Sequence, residues 1–217
     1  MNQRITQKKL IARLIVTEEE RAQAFRLRHD IFTEELGWTD SEKYETDEFD
    51  VGSDFLGLFD GNKLVAFTRI TKHTSPWMFE KVDVFKLLID QPLVKTLDSV
   101  ESTRYFVSRN FRGQHQINGY KVFYSQLFLY SFYEYCLMKG ARKVYCVFLM
   151  PIFRLLRRQG LPIYRIDSKR KSSAKNLTVP TVIDWELLDP KKFFKTGLLE
   201  LVSIKIDSNY FNKFLLT

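Results

Sequence analysis

The sequence predicts an α/β protein in which one central mixed β-sheet is flanked by helices. Two observations support this fold class. Candidate strands and helices alternate along the chain, and 217 residues, 45% of them hydrophobic, are enough for one large core but few for two. Because no internal repeat and no linker rich in Pro, Gly or Ser interrupts the chain, we expect a single domain over residues 1–217.

The first elements have clear boundary signals. Leu10 to Val16 has the composition of a strand, and Thr17-Glu18-Glu19-Glu20 has the T-x-x-E form of a capping box, which predicts a helix that runs to about Leu36. Two apolar stretches follow, Phe55 to Phe59 and Leu64 to Ile70, separated by an Asp-Gly-Asn turn. This spacing predicts a β-hairpin.

The rest of the chain contains four further candidate strands and three candidate helices. The predicted strands are Ser99 to Val107, Lys143 to Leu149, Thr178 to Glu186 and Leu199 to Ile206. The predicted helices are Lys81 to Ile89, Ile117 to Lys139 and Pro151 to Gln159.

Several classes of protein are not favoured by this sequence. The longest apolar run, Val144 to Phe153, has ten residues, whereas a membrane-spanning helix needs roughly 18. The amino-terminal stretch MNQRITQKKLIARLIV lacks the apolar region of a secretory signal, so we expect a cytosolic protein without a membrane partner. Two cysteines, Cys136 and Cys146, and three scattered histidines suggest neither a disulfide framework nor a metal site.

Positive charge is concentrated in one part of the chain. The formal net charge is +8, and residues 139 to 175 contain eleven Lys or Arg residues and one acid, Asp167. Such a surface suits an anionic partner, either nucleic acid, phosphate or an acidic protein, although a plain solvated basic face is the alternative. No helix-turn-helix, RNP-like or zinc motif accompanies the charge, so nucleic acid is not expected.

Negative charge is concentrated elsewhere, in a stretch that we call the acid loop, residues 40 to 54. It contains seven acidic residues and one Lys, and it follows a helix on which Phe25, Arg28 and Phe32 share one face. An unpaired buried guanidinium is strongly destabilising, so Arg28 should have an anionic partner unless its head reaches solvent.

Charged residues also interrupt two predicted strands. Arg69 alternates with Val65 and Phe67 in KLVAFTRIT, and both Glu101 and Arg104 occur in SVESTRYFV. Together with Asp47 and Asp50 of the acid loop, these side chains could form one buried electrostatic cluster. Such a cluster would suit a zwitterionic or cationic small ligand.

The order and spacing of these positions resembles the LuxI-type acyl-homoserine lactone synthases, a family of bacterial autoinducer synthases. The matching positions are Arg28-x-x-x-Phe32, Trp38, Asp47 and Asp50 in ETDEFD, Arg69, Phe85 in VFKLL, and Glu101-x-Thr103-Arg104-Tyr105. The resemblance covers about residues 20 to 165. The family usually has Ser and Phe where this chain has Thr103 and Tyr105, and the stretch Val147 to Met150 is bulkier and less hydroxylated than is common there.

The resemblance implies an acetyltransferase (GNAT)-like fold and a cytoplasmic bacterial enzyme that needs no cofactor. The implied substrates are S-adenosylmethionine and an acyl thioester on acyl carrier protein. The amine of S-adenosylmethionine is acylated, and its carboxylate then displaces methylthioadenosine and closes the lactone. The ligand carries a sulfonium, an ammonium and a carboxylate, which explains why acids, arginines and aromatic residues are expected around one site.

The resemblance also implies a role for each matched residue. Glu101 is the expected catalytic base, acting on the amine directly or through a water. The expected S-adenosylmethionine site consists of Arg28, Phe32, Trp38, Asp47, Asp50, Arg69 and Arg104. The expected acyl pocket consists of Phe85, Thr103, Tyr105, Val147, Phe148, Leu149 and Met150.

Two points about these roles are left open by the sequence. Strict strand alternation places Glu101 and Arg104 on opposite faces, so both reach one pocket only across a β-bulge or at a splayed strand end. A purely scaffolding role for either residue is the alternative.

The basic face is expected to dock the acidic acyl carrier protein. The residues assigned to this surface are Arg142, Lys143, Arg154, Arg157 and Arg158, with Lys169 to Lys171.

Two other functions remain as alternatives. One is a GNAT-fold N-acyltransferase that uses acyl-CoA and a different amine, since RNFRGQHQINGY resembles the pyrophosphate loop of those enzymes. However, His115 occupies a position where a second glycine is expected. The other is a non-catalytic basic binding module, which has little need of ionisable groups within apolar faces.

Overall fold

The computed structural model describes residues 10–166, 178–194 and 200–205. Its main feature is an eight-stranded mixed sheet with the strand order β10-β1-β2-β3-β4-β7-β9-β8, and β5 and β6 form a separate hairpin. The strands are β1 Leu10–Leu14, β2 Asp54–Asp60, β3 Lys63–Lys72, β4 Ser99–Val107, β5 Gln114–Ile117, β6 Tyr120–Phe123, β7 Lys143–Leu149, β8 Ile163–Arg165, β9 Thr178–Asp184 and β10 Val202–Lys205.

Helices cover both faces of this sheet. They are α1 Glu18–Arg28, α2 Met78–Lys81, α3 Asp83–Lys86, α4 Tyr124–Met138, α5 Met150–Arg158 and α6 Pro190–Phe193, with a π-helix at His29–Glu35 that continues α1. Short 3₁₀ turns occur at Glu48–Asp50, Arg109–Phe111 and Trp185–Leu187. The predicted fold class, a central mixed sheet flanked by helices, is therefore confirmed. No helix within the described ranges has the length and apolarity that crossing a bilayer requires.

The sheet separates two apolar cores. On one face, Phe55, Phe67 and Phe106 pack edge to face or stacked, with ring centroids 5.3 and 5.5 Å apart, beneath the α1 and π-helix side chains. On the other face, the larger core forms around Phe128 and Phe132 of α4. Each fully buried Phe contributes roughly 1.5–3 kcal/mol of transfer free energy, so these two layers fix the sheet between its helices.

Strands β4 and β7 separate along their length, and this opens the sheet. They pair in parallel only at Ser99↔Lys143, Val100↔Val144 and Glu101↔Tyr145. Beyond that point β4 stays paired with β3, and β7 stays paired with β9 as far as Leu149. The result is a cleft between two strands whose facing edges are not hydrogen-bonded to each other.

A β-bulge in β4 lies just beyond the point where the strands separate. Phe106 pairs with Phe67 and Thr103 with Arg69, so two residues, Arg104 and Tyr105, lie opposite one residue of β3. Arg104 has a φ of 56°, in the left-handed region that non-glycine residues rarely adopt. Both a bulge and a splayed strand end are thus present between Glu101 and Arg104, as the sequence required for one shared pocket.

The predicted helix over Ile117 to Lys139 is wrong at its start. Residues 114–123 form the β5–β6 hairpin, and α4 begins only at Tyr124. The physical reason is the two-residue turn Asn118-Gly119, with φ values of 50° and 83°, which is the turn that tight hairpins favour.

Other predicted elements also differ in extent, including the first strand, which ends at Leu14 and not at Val16. The helix expected over Lys81 to Ile89 consists of two single turns, α2 and α3, that meet at Val82. Strand β9 ends at Asp184, where a 3₁₀ turn begins, and β10 covers Val202–Lys205 of the predicted Leu199 to Ile206, whose two end residues lie outside the described ranges. The predicted cap of α1 is confirmed, since the Thr17 hydroxyl accepts from the Glu20 amide at 3.3 Å.

Candidate active site

Four separate elements bring three arginines and three carboxylates together on the α1 side of the sheet. Arg28 ends α1, Arg69 lies in β3, Arg104 occupies the β4 bulge, and Glu45, Asp47 and Asp50 come from the acid loop. We call these six residues the ion cluster. Five of the six were predicted, and the structure brings all five into mutual contact.

Arg28 is fully buried at the bottom of the cluster. Its Nε donates to Glu45 Oε2 at 2.5 Å and its Nη1 to Asp50 Oδ1 at 2.6 Å. Its Nη2 lies 3.6 Å from Asp47 Oδ2 and has no hydrogen-bond partner among the described residues. Burial alone lowers the pKa of Arg28, but Asp50 and Glu45 outweigh it and raise that pKa. The predicted need for an anionic partner is confirmed.

Arg69 is also fully buried and connects the acid loop to β4. Its Nη1 donates to Asp47 Oδ1 and, at 2.8 Å, to Asp50 Oδ1, while its Nε donates to the Thr103 hydroxyl at 2.9 Å. Its Nη2 contacts the Met78 sulfur at 3.2 Å. Each of the three guanidinium nitrogens of Arg69 therefore has a partner within the protein.

Arg104 completes the cluster from the bulge. Its Nη2 donates to Glu45 Oε1 at 2.6 Å and to Asp47 Oδ2 at 3.0 Å, and its guanidinium lies 5.1 Å from the centre of the Phe32 ring. Burial raises the pKa of Glu45, but the hydrogen bonds and positive charges of Arg104 and Arg28 together have a larger, lowering effect. The pKa of Glu45 is therefore below its usual value.

The cluster is balanced in formal charge, with three cations and three anions, and its members differ in exposure. The side chains of Arg28, Arg69 and Glu45 are 0%, 0% and 3% exposed, whereas those of Asp47, Asp50 and Arg104 are 20%, 11% and 12% exposed. Balanced pairing keeps such buried charges tolerable, because an isolated one would cost several kcal/mol. A ligand can reach only the outer three.

The acid loop fixes its own carboxylates by local hydrogen bonds. Asp47 Oδ1 accepts from the Phe49 amide at 3.0 Å, and Asp50 Oδ2 accepts from the Asp47 amide at 2.9 Å. This reciprocal capping of a 3₁₀ turn leaves the other oxygen of each carboxylate directed to the arginines.

Two predicted aromatic residues stand beside the cluster. The Phe32 and Trp38 rings are 6.0 Å apart, and the Trp38 amide donates to the Phe32 carbonyl at 2.8 Å. Phe32 is buried, but Trp38 is 50% exposed. Trp38 therefore exposes part of its ring to solvent, beside the Phe32 ring that Arg104 contacts.

Glu101 lies at the last β4–β7 pair and is fully buried. Its two oxygens accept from the Met78 and Phe79 amides at 2.9 and 3.0 Å, which anchors α2 to the sheet. Burial raises the pKa of Glu101 to about 7, against the lowering effect of these two amides and of Arg69. A carboxyl with this pKa can exchange a proton near neutral pH.

The predicted acyl-pocket residues lie on both faces of the sheet. The Phe85 ring lies 5.7 Å from the Phe79 ring of α2, whereas Tyr105 packs on Phe128 at 5.0 Å in the α4 core. At the end of β7, Phe148 and Met150 pack against the same α4 core, and the neighbouring Val147 and Leu149 alternate with Phe148. Thr103 and Tyr105 of β4 and Val147, Phe148 and Leu149 of β7 lie on the two strands that border the cleft.

A second charged feature is an open groove of about 530 Å³ on α5 and β8, which we call the basic groove. It is lined by Met150, Phe153, Arg154, Arg157, Arg158 and Arg165. The three predicted α5 arginines are thus brought together. Arg142 and Lys143 begin β7 and do not line the groove, and Lys169 to Lys171 lie outside the described residues.

Sequence reasoning missed three residues that the geometry makes important. Glu45 is the most buried carboxylate of the cluster, Met78 contacts two of its arginines, and Arg165 joins the basic groove. The sequence could have identified Glu45, because it is one of the acidic residues of the acid loop and is closer in sequence to α1 than Asp47 and Asp50 are. Met78 and Arg165 give no signal in the sequence because their contacts depend on the tertiary fold.

The stretch compared with a pyrophosphate loop has a different structure. It folds into a 3₁₀ turn and the β5–β6 hairpin, so part of its backbone pairs with itself. Among the described residues, no cluster of His, Cys, Asp and Glu is arranged for a metal ion.

Comparison with known proteins gives consistent matches. The sequence profile of the family described as autoinducer synthase matches residues 13–185. An acyl-homoserine-lactone synthase of Aeromonas salmonicida is 27% identical over 150 residues, which cover 67% of this chain and 70% of that protein.

Solved structures resemble the fold as well. A CoA-dependent acyl-homoserine lactone synthase, BjaI, solved with SAM and isopentyl-CoA, has a TM-score of 0.73 at 21% identity, with 90% of this chain and 93% of that chain covered. A putative N-acetyltransferase from Lactobacillus plantarum has a TM-score of 0.54 at 14% identity, with 83% and 99% covered. The second match supports the acetyltransferase-like architecture that was predicted.

Proposed function

The chain belongs to the LuxI-type autoinducer synthases, and from this premise we propose that it makes an N-acyl-L-homoserine lactone, a quorum-sensing signal, from S-adenosylmethionine and an acyl-acyl carrier protein. The observation that carries this proposal is the ion cluster, placed beside a buried carboxyl at the opening between β4 and β7. Few ligands need both signs of charge, an aromatic face and a proton acceptor within one site.

The outer members of the cluster are the groups that would meet S-adenosylmethionine. Asp47 and Asp50 can hold its cationic groups, and Arg104 can hold its carboxylate, because these three side chains retain solvent exposure. Arg28, Arg69 and Glu45 are buried and paired within the protein, so they act by fixing the outer three. Phe32 and Trp38 would cover the ligand from water and offer an aromatic face to its cation.

The first chemical step is acylation of the amine. The ammonium must lose a proton before its nitrogen attacks the thioester carbonyl, and the thiolate of the donor then leaves with the electron pair of the C–S bond. Glu101 is the proposed proton acceptor, because burial brings its pKa to about 7. Each of its oxygens accepts only one backbone amide and retains a second lone pair.

The second step closes the lactone. A carboxylate oxygen of the acylated intermediate attacks the γ-carbon next to the sulfonium, and the C–S bond electrons go to sulfur, which leaves as methylthioadenosine. Arg104 is placed to orient that carboxylate, since its bulge conformation directs the guanidinium at the outer face of the cluster. No added oxidant or reductant is required.

The acyl chain would pass between β4 and β7. A chain that starts near Glu101 and enters the cleft meets Thr103 first and Tyr105, Phe148 and Met150 on the α4 side. Met150 also lines the basic groove, so the groove and the proposed acyl path share a residue. This continuity supports the groove as the docking surface for the thioester donor.

Acyl carrier protein is the proposed donor because the groove is strongly cationic and wide open. The related BjaI is CoA-dependent, so acyl-CoA is the competing donor and must be included in the test.

The test is turnover by the purified chain with S-adenosylmethionine and matched acyl-acyl carrier protein or acyl-CoA, with mass spectrometry of organic extracts. We expect an acyl-homoserine lactone series and equimolar methylthioadenosine, with Asp47→Ala as the inactive comparison. An acylated amine without methylthioadenosine would instead show an ordinary N-acyltransferase.

A further inference from the structure

The segment Trp38–Glu45 lies along α1 and the π-helix in the opposite direction. At one end, the Trp38 and Thr39 amides both donate to the Phe32 carbonyl, at 2.8 and 3.3 Å. At the other end, the Glu45 amide donates to the Phe25 carbonyl at 3.1 Å. This segment therefore carries an aromatic wall of the proposed site at one end and the most buried carboxylate of the ion cluster at the other.

The middle of this segment is held by side chains. The Thr33 hydroxyl lies 2.8 Å from both the Thr39 and the Ser41 hydroxyls, and the Ser41 hydroxyl lies 2.9 Å from His29 Nδ1. We call these four residues the hydroxyl chain. Thr33 is its centre, because it is the only member bonded to two residues of the segment.

The hydroxyl chain is consistent in hydrogen-bond direction. With Nδ1 of His29 as an acceptor, Ser41 donates to His29, Thr33 to Ser41 and Thr39 to Thr33, and every hydroxyl proton is used. With a proton on Nδ1, the same chain runs in reverse. Either assignment of the Nδ1 hydrogen thus leaves the chain intact, and removal of one hydroxyl interrupts it.

The π-helix makes this arrangement possible. Its wider turn is closed by the Leu36 amide donating to the Ile31 carbonyl, and Gly37, at φ 61°, lets the chain reverse direction. The reversal places Thr39 and Ser41 beside the π-helix, where both reach Thr33.

We infer that the hydroxyl chain is a positioning device that holds Trp38 and Glu45 in place and thereby sets the affinity for S-adenosylmethionine. This inference rests on the proposed function for its ligand. Thr33, Thr39, Ser41 and His29 are positioning residues, because they are proposed to act through Trp38 and Glu45 and not by binding the ligand.

The test is Thr33→Val, which keeps the shape of the side chain and removes both hydroxyl bonds. We expect the KM for S-adenosylmethionine to rise about tenfold, while the KM for the acyl donor stays at the wild-type value. Thr33→Ser restores the hydroxyl and should restore the KM. Glu35→Gln is the matched control, because it breaks an ion pair to Arg112 at the end of the same π-helix and leaves the hydroxyl chain intact.

A second readout needs no substrate. The chain has three tryptophans, of which Trp77 and Trp185 are 0% and 2% exposed and Trp38 is 50% exposed. Acrylamide quenching of the emission therefore reports mainly on Trp38. We expect quenching to increase in Thr33→Val and to return to the wild-type value in Thr33→Ser.

These two readouts separate the inference from the proposed function. If the wild-type chain makes no lactone, the proposed function fails, and the quenching series still decides whether the hydroxyl chain positions Trp38. Unchanged quenching and an unchanged KM in Thr33→Val would overturn the inference, as would equal KM increases for both substrates. If Thr33→Val does not fold, the more peripheral Thr39→Val, which removes one bond, decides by the same criteria.

Discussion

The ion cluster and the basic groove use arginine in opposite ways. In the cluster, three arginines meet three carboxylates, and two of the arginines are completely buried. In the groove, four exposed arginines surround an apolar floor, and within the described residues none of them forms an ion pair. Balanced burial gives fixed geometry, whereas unbalanced exposure gives a long-range field. This difference is consistent with the chemistry proposed for the first region and the docking proposed for the second.

The largest expected effect comes from removing a buried arginine of the cluster. Arg69→Ala should abolish lactone synthesis and lower the free energy of unfolding by about 3–5 kcal/mol, because Asp47 and Asp50 lose a partner inside the protein. The matched change in the groove, Arg157→Ala, should alter stability by no more than about 0.5 kcal/mol. Urea denaturation of both variants measures this contrast.

Asp47→Ala separates activity from stability within the cluster. Its side chain is 20% exposed, and Asp50 still pairs with Arg69 and Arg28. We expect a folded protein that makes no lactone. A folded variant with wild-type turnover would exclude Asp47 from the site.

The next largest effect concerns Glu101, which is buried like the cluster but has no close cationic partner of its own. Glu101→Gln should lower kcat about a hundredfold or more if the carboxyl accepts the proton. The wild-type kcat should rise with pH through about 7, following the pKa of Glu101, and the residual activity of the variant should not. A wild-type rate that is flat across neutral pH would contradict this role.

The raised pKa of Glu101 also makes the free energy of unfolding depend on pH. Its folded pKa of about 7 lies above the usual 4.5, so the folded state binds the proton more tightly than the unfolded state. The stabilisation is complete below about pH 4.5 and is lost as the pH rises through 7, by about 3 kcal/mol in total. The difference in unfolding free energy between wild type and Glu101→Gln should therefore change by that amount between acidic and neutral pH.

Two regions also differ in how well the sequence predicted them. Five of six cluster residues could be named because charges on the apolar faces of a helix and two strands require partners, and the family pattern identified them. The sequence showed only that a bulge or a splayed strand end was needed for Glu101 and Arg104 to reach one pocket. It did not locate the bulge at Arg104, because a left-handed conformation has no sequence signal in a non-glycine residue. The Asn118-Gly119 pair is typical of a tight hairpin turn. The apolar helical pattern that follows it led instead to the prediction of a helix from Ile117.

The groove was predicted less well for a physical reason. A run of basic residues shows that a region is cationic, but it does not show which side chains share a surface. Arg142 and Lys143 belong to the same run and do not line the groove, whereas Arg165 does because β8 folds back beside α5. Surface geometry of this kind depends on chain reversals that composition does not encode.

The groove itself is tested by charge reversal. Changing Arg154, Arg157 and Arg158 together to Glu should raise the KM for acyl carrier protein at least about tenfold and barely alter that for S-adenosylmethionine. The wild-type rate at low donor concentration should fall as salt rises through about 0.15 M. Reversing Arg142 and Lys143 is the matched control and should have the smaller effect. Equal losses toward both substrates would mean damage to the fold.

The smallest expected effect concerns the acyl group, whose proposed path lies between the two regions. The β7 end offers Val147, Phe148, Leu149 and Met150, none of which has a hydroxyl, so a buried C3 carbonyl lacks a donor there. Thr103 offers a hydroxyl in the proposed path; its oxygen accepts from Arg69, which leaves its proton available and limits the penalty. We therefore expect a preference of about tenfold for donors that are unsubstituted at C3, or that carry a 3-hydroxyl bonded elsewhere, over 3-oxo donors. Competition between matched acyl carrier proteins of equal chain length, measured by product mass, checks this, and Thr103→Val should widen the preference. A clear excess of the 3-oxo lactone from the wild-type chain would show that another group binds that carbonyl.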